Sequence, residues 1–346
     1  MTDLLALIGI EAPLLLAPMA GFGTVELAIG VARAGALGAL PCASLSIAEA
    51  DAQVAQFRAA GPWPLHVNFF CHQAPVADAA VLARWRERLA PYHDELGVPR
   101  DTHAAGGRAP FDEAWCAWVE RTRPQVASFH FGLPAAPLLA RVKATGARVL
   151  ASATTVREAV WLEAHGCDAI IAQGTEAGGH RGMFLTDDAA AQVGTFALVP
   201  QVVDAVRVPV IAAGGVTDGR AIRAAFALGA VGVLAGTAYL RCPEARTSAL
   251  HRRALETVTD DATAITNVFT GRPARGIETR LVRDLGPLSA DAPPFPLAAA
   301  AVAPLKARAE AAGSTDFSNL WAGQAARLAR AEPAEAVTAR LLRESR

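Results

Sequence analysis

Residues 209–240 read PVIAAGGVTDGRAIRAAFALGAVGVLAGTAYL, and their pattern decides the fold. A short apolar run, Pro209–Ala213, breaks at Gly214-Gly215; a segment of helical character, Asp218–Leu228, follows; a second apolar run, Gly232–Ala235, breaks at Gly236-Thr237. Neither run alternates with polar residues, as expected of parallel strands covered on both faces. Strand, turn, helix and strand in about 30 residues is the period of a βαβ unit.

The same period extends toward the amino terminus. Further apolar runs bounded by Gly, Pro or polar turns lie at Leu14–Met19, Leu37–Cys42, Leu65–Phe70, Val126–Phe131, Arg148–Ala153 and Ala169–Gln173, which brings the strands to eight. Segments of helical character alternate with them: Val25–Ala34, Ile47–Ala59, Val81–Leu89, Ala114–Arg123, Ala136–Thr145, Thr155–His165, Val199–Ala205 and Asp218–Leu228. Strand then helix, repeated eight times, predicts an α/β fold, a TIM (β/α)8 barrel rather than an open doubly wound sheet. Two connections are longer than the rest. Cys71–Gln125 holds Gly106-Gly107 and a helix with Trp115 and Trp118, and Thr175–Leu198 holds Gly178-Gly179 and Asp187-Asp188. Long loops after the third and sixth strands of a barrel lie over its active face. Arg241–Ala312 reads as helical and Pro-rich connections, a small and mainly helical lobe beside the barrel mouth, before a last helix near Leu320–Ala331. The expected division is a barrel over residues 1–240, a helical lobe over 241–312 and carboxyl-terminal helices over 313–346 that complete the barrel.

Composition excludes several classes. With 52% hydrophobic and 19% charged residues the chain has ample core and is no disordered segment. Thirty-two basic residues against thirty-three acidic ones leave a net charge of -1, so no global field draws a nucleic-acid backbone. The five cysteines contain no CxxC pair, which suggests neither a disulfide framework nor a zinc site and fits a reducing cytoplasm. The start, Met1-Thr2-Asp3-Leu4-Leu5, carries an acid where a secretory signal carries Lys or Arg. No apolar run reaches the ~20 residues a membrane span needs. Apolar residues on the added helices leave a homodimer open.

The glycines after the seventh and eighth strands carry the first chemical signal. These are the two loops where barrels commonly bind phosphate, and Gly214, Gly215 and Gly236 can turn their amides on such a group while Thr237 opens a short helix. Tight βα turns alone would use the same residues. Rival nucleotide motifs fail: Gly21-Phe22-Gly23 has Glu26 where a dinucleotide fingerprint needs its third glycine, and no GxxxxGK motif occurs. After the sixth strand, Gln173-Gly174-Thr175-Glu176-Ala177-Gly178-Gly179-His180-Arg181-Gly182 places titratable groups on a loop able to approach a flat ligand closely, with Gln173 offering both donor and acceptor. Strand ends one, three and four bring Pro18-Met19-Ala20-Gly21, Asn68-Phe69-Phe70 and His130-Phe131-Gly132 to the same face. An Asn inside an apolar strand needs partners, from a ligand's polar edge or from the core. His130 reads equally as a site residue or a structural histidine. No HExxH, Asp-rich loop or His-carboxylate pattern asks for a metal, so an organic phosphorylated cofactor fits the residues better.

Several of these segments together resemble the nitronate monooxygenase family, formerly called 2-nitropropane dioxygenases: PMAGFGTVELA (18–28), VNFF (67–70), QGTEAGGHRG (173–182), PVIAAGGVTDGRAI (209–222), VLAGTAYL (233–240) and LWAGQ (320–324). Those enzymes are FMN-dependent TIM barrels. The resemblance implies that Asn68, Gln173, Gly178, Gly179, Gly214, Gly215 and the turn Leu234, Ala235, Gly236, Thr237 contact FMN, with Met19 and Ala20 against its ring. It implies that His180 is the catalytic histidine and that His130 lies near the substrate; Arg181, next to His180 in the chain, is expected to add positive field at the substrate. The implied reaction is oxidation of an alkyl nitronate by O2 to a carbonyl compound and nitrite. An NAD(P)H-dependent FMN reductase of the same fold, of the enoyl-acyl carrier protein reductase or NADH:quinone reductase type, is the alternative, disfavoured by Arg181 after His180 and by LWAGQ. A flavin-binding protein without turnover is the reading from outside the enzymes. Two departures bear on substrate choice: Gly23 stands where the family's first motif has Ser, and the chain has only Tyr92 and Tyr239.

Overall fold

Each apolar run becomes a strand of one parallel sheet in the computed structural model of the protein, which describes residues 3–103 and 109–346; Met1, Thr2 and the Gly106-Gly107 segment lie outside the described residues. In chain order the strands are β1 (Leu14–Leu16), β2 (Ala39–Leu40), β3 (His66–Phe70), β4 (Val126–His130), β5 (Arg148–Ala153), β6 (Ala169–Gln173), a two-residue β7 (Gly179–His180), β8 (Val210–Ala213) and β9 (Gly232–Ala235). Their order in the sheet is β1-β9-β8-β6-β5-β4-β3-β2, and a parallel bridge between Leu15 and Leu37 joins the two ends. This is the eight-stranded TIM barrel, with β8 and β9 as its seventh and eighth staves. β1 is shorter than its apolar run because Pro18 has no amide to continue the ladder; Ala17 donates the last bond, to Ala235 O at 2.9 Å.

Helices α2 (Val25–Arg33), α3 (Ile47–Ala60), α5 (Glu113–Thr122), α6 (Ala136–Ala144), α7 (Val156–Ala164), α8 (Thr195–Ala205) and α9 (Gly219–Ala227) follow their strands around the ring. Side-chain caps start most of them, from Thr24, Ser46, Asp112, Thr155 and Asp218, each giving an oxygen to an amide of the first turn. Two cores result. One lies between sheet and helices, with Val67, Phe69, Phe129 and Val149 among its members, and the other fills the lower barrel interior with Leu15, Val126, Leu150, Ile171 and Ile211. The short α1 (Leu4–Ile8) plugs the bottom of that interior with Leu4 and Ile8.

The region beyond β9 departs from the expected pattern in two ways. Between α10 (Ala249–Thr257), α11 (Arg280–Leu285) and α12 (Ala298–Ala311) runs an antiparallel ribbon, β10 (Thr263–Thr266) and β11 (Ala274–Ile277), which takes β7 as its third strand. The helix expected near Leu320–Ala331 does not form. Instead Trp321 bridges to Gly276, Gly323 N donates to Thr237 Oγ1 at 2.9 Å and Gln324 N to Glu176 O at 3.0 Å, so tertiary bonds and Gly323 override the Ala-rich helical propensity. The last helix is α13 (Ala334–Glu344), which packs against both α2 and α9. It fills the eighth helical place, so residues 237–333 are an insertion within the last βα unit. The helix expected at Val81–Leu89 is longer, α4 (Ala79–Leu96), because Trp85, Leu89 and Tyr92 share a separate core with Val302, Leu305 and Phe317 of the inserted region. Among the described residues no helix is long and apolar enough to cross a membrane.

Candidate active site

The carboxyl ends of the strands surround a cavity of about 1190 Å³, mouth included. Its wall brings together most of the residues singled out from sequence: Met19, Ala20, Asn68, His130, Gln173, Gly178, Gly179, His180, Gly214, Gly215, Leu234, Gly236 and Thr237. Two do not join them. Ala235 packs into the core between sheet and helices and offers only its backbone. Arg181 is fully buried behind the loop, and its guanidinium is spent there. Its Nε donates to Gln192 Oε1 at 2.8 Å, and its two Nη atoms to the carbonyls of Gly174 and Gln173 at 2.6 Å each. Burial lowers its pKa to about 10, so it stays a cation at neutral pH, but one that braces the loop rather than facing a substrate.

Part of the cavity wall is built from glycine turns. The amides of Gly215 and Gly236 donate to no acceptor among the described residues, and Gly236 leads into a 3-10 turn at Thr237–Tyr239. Gly215 has φ +71°, and a Cβ there would project into open space with only the Glu176 Cβ at 3.9 Å, so the residue is glycine for its conformation. Gly178 is glycine for contact: a Cβ there would stand 2.5 Å from Gly323 N. Unclaimed amides beside a helical turn are a receptor for an anion such as phosphate. Glu176, also in the wall, is held by Thr195, whose N and Oγ1 both donate to its carboxylate, the latter at 2.7 Å.

Another part carries the histidines. His180 lies on β7, its backbone fixed by pairing with Ala274 of β11. Its ring Nε2 is 2.9 Å from Thr270 Oγ1, and Trp321 and Phe295 pack around it with ring centroids at 5.5 and 5.2 Å. Gln173 bridges the loop, accepting from Gly182 N at 2.7 Å and donating to His180 O at 3.0 Å, which leaves its amide one further donor and acceptor. His130 is held at both nitrogens, Nδ1 by Ser152 Oγ at 3.0 Å and Nε2 by His180 O at 3.1 Å. Since a carbonyl only accepts, Nε2 bears the proton and Nδ1 receives the Ser152 hydroxyl. Burial pushes the His130 pKa down to about 4 and keeps the ring neutral.

Beneath the loop, Glu158 accepts from Thr154 N and Oγ1, both at 2.7 Å, and from Phe184 N at 2.7 Å and Leu185 N at 3.2 Å. Sequence reading passed over this carboxylate, and over Ser128, Ser152 and Glu176 in the cavity wall. The signal for the two serines was present: each is a polar residue on an apolar strand, two residues before or level with a cavity position. Cys71, near the same face, is half-buried, and desolvation raises its thiol well above the ordinary range, so it is no thiolate. Among the described residues no group of His, Cys, Asp and Glu stands ready to hold a metal.

A family model described as nitronate monooxygenase matches residues 1–344. Nitronate monooxygenase of Paraburkholderia phytofirmans is 42% identical, covering 99% of this chain and 94% of that one. The protein of the same name from Pseudomonas aeruginosa is 39% identical over 98% of both chains. Among solved structures, nitroalkane oxidase from Streptomyces ansochromogenes superposes with a TM-score of 0.90 at 35% identity, covering 99% and 98% of the two chains. FabK from Thermotoga maritima is more distant, with a TM-score of 0.75 at 26% identity over 100% and 96%.

Proposed function

Because the chain belongs to the nitronate monooxygenase family, we propose that it holds FMN in the barrel mouth and oxidises alkyl nitronates such as propionate 3-nitronate with O2, yielding a carbonyl compound and nitrite. The observation that carries this reading is what shares one cavity wall: the unclaimed amides of Gly215 and Gly236, and His180 among aromatic rings.

The residues fit FMN. Gly214, Gly215, Gly236 and Thr237 would take its phosphate, Met19 and Ala20 would lie against the flat ring, and Asn68 and Gln173 would meet its polar edge. Bound there, FMN supplies the redox chemistry, accepting electrons from the nitronate and passing them to O2. The protein's own part is binding and charge. His180, in its protonated form, stabilises the anionic substrate; with a neutral nitroalkane the neutral ring takes the proton instead. Thr270 holds that ring at Nε2, and the β7–β11 pairing holds its backbone. Phe70 and Trp321 give the cavity wall large apolar surface, which would leave less room for water beside a bound substrate. The five cysteines are unpaired, which suits a cytoplasmic enzyme.

The test is the visible spectrum of the FMN-loaded protein mixed without O2 with a nitronate and, in parallel, with NADH. Loss of the oxidised flavin bands with nitronate alone is expected, followed by nitrite release on admitting O2. Bleaching by NADH alone would move the protein to the reductase reading, and a protein that takes up no FMN would overturn the assignment. His180→Ala with saturating nitronate should lower turnover; unchanged turnover would remove His180 from that role.

A further inference from the structure

We propose that His66 is a positioning residue which, through Ser128, orients the Asn68 amide so that the cavity offers a ring N–H an acceptor, Asn68 Oδ1. The inference deepens the FMN reading and rests on it.

Strand β3 alternates, and Val67 and Phe69 pack toward the helices while His66, Asn68 and Phe70 turn inward. His66 lies one step below Asn68 and is wholly buried. Asn68 Nδ2 donates to Ser128 O at 3.2 Å and to Ser128 Oγ at 2.9 Å. A carbonyl can only accept, so the atom facing Ser128 O is the amide nitrogen, and the remaining polar atom, Oδ1, is left for the cavity that Asn68 lines. The Ser128 hydroxyl has already received the Asn68 proton and keeps one of its own to give. His66 Nε2 is 2.7 Å away and takes it.

That arrangement fixes the His66 tautomer, with its proton on Nδ1, and Nδ1 has no partner among the described residues. The surrounding barrel interior is Leu15, Val126, Leu150, Ile171 and Ile211, where an aliphatic side chain would pack without an orphaned nitrogen. A buried imidazole with one unmet N–H is therefore a cost to the fold, offset only at Ser128. Burial also holds the ring neutral, with a pKa lowered to about 3, so Nε2 remains an acceptor at every working pH. Were that acceptor removed, the Ser128 proton would turn toward the amide oxygen of Asn68, and the polarity shown to the cavity would be contested.

The experiment titrates FMN, and FMN methylated at its one oxidised-state ring N–H, into the apo forms of wild type, His66→Leu, His66→Gln, Ser128→Ala and the double variant, and records the visible spectrum of each complex. Wild type should prefer FMN to the methylated form by about tenfold, the worth of one hydrogen bond. His66→Leu and Ser128→Ala should erase most of that preference and shift the flavin bands, Gln should restore it through its side-chain oxygen, and the double variant should match Ser128→Ala alone. Loss of preference is the telling readout, because mere loosening of the barrel weakens both ligands equally. If His66→Leu does not fold, Ser128→Ala carries the decision. A variant set with wild-type preference and spectrum, or fully additive effects of the two sites, overturns the inference while leaving the FMN reading intact. Wild type that binds neither flavin overturns both.

Discussion

His130 Nε2 lies 3.1 Å from the carbonyl oxygen of His180, and Gln173 Nε2 approaches the same oxygen at 3.0 Å. Two side chains from two different strands thus grip the backbone of one residue, and the histidine expected beside the substrate acts on its neighbour's position. We expect His130→Ala to lower kcat for nitronate about tenfold with KM within about twofold, since orientation rather than uniform binding is lost. Steady-state kinetics decide it, and an unchanged kcat would show that Gln173 suffices.

Acid should weaken the fold through three histidines. Burial lowers the pKa of His66 to about 3 and of His130 and His251 to about 4, whereas in the unfolded chain each titrates near 6.5. Between those values the unfolded state binds more protons, so stability falls as pH drops from about 6.5 toward 4 and recovers above it. Thermal melts across that range should show the fall, and replacing His251 by an uncharged residue should flatten it.

The loop after β6 is clamped from below. Arg181→Met takes the charged donor from the carbonyls of Gln173 and Gly174, leaving Gly174 O only the longer bond from Ala177 N, and Glu158→Gln sets an amide where Phe184 N, Leu185 N and the Thr154 groups need an acceptor. Each should cost about 2–4 kcal/mol in denaturant unfolding. Arg181→Met that binds and turns over substrate as wild type, at undiminished stability, would contradict the bracing role.

Two glycines of the cavity wall should separate in their effects. Gly215→Ala sets a side chain at φ +71° beside open space, and we expect weaker FMN binding with a stability loss of about 1–2 kcal/mol. Gly178→Ala drives a Cβ to 2.6 Å from Ala322 C and must displace the segment carrying Trp321. Melting temperature should fall further in the second variant than in the first, and the reverse order would count against the contact.

Much of this was legible because the barrel repeats. Apolar runs with glycine ends gave each strand, and the glycine pairs at 178–179 and 214–215 marked the face where the cavity opens. Arg181 was misread because a cation beside a histidine looks the same in sequence whether it meets solvent, a ligand or two carbonyls; only the approach of Gln192 and the turn at Gly174 distinguishes them. Ser128 and His66 were missed for a related reason, since their meaning lies in pairing across β3 and β4, sixty-two residues apart. The helix read at 320–331 followed local propensity, which Gly323 and its bond to Thr237 override.

The place of α13 sets an order of events during synthesis. This helix, at Ala334–Glu344, packs between α2 and α9, and Ala334 lies against Gly30. A growing chain can pair every barrel strand once residue 235 has emerged, yet one stave of the outer wall stays bare until the whole inserted region has followed. The nascent barrel must therefore keep the apolar faces of α2 and α9 uncovered for about 100 residues of translation, several seconds at ribosomal rates, in which a chaperone or a second chain can compete for them.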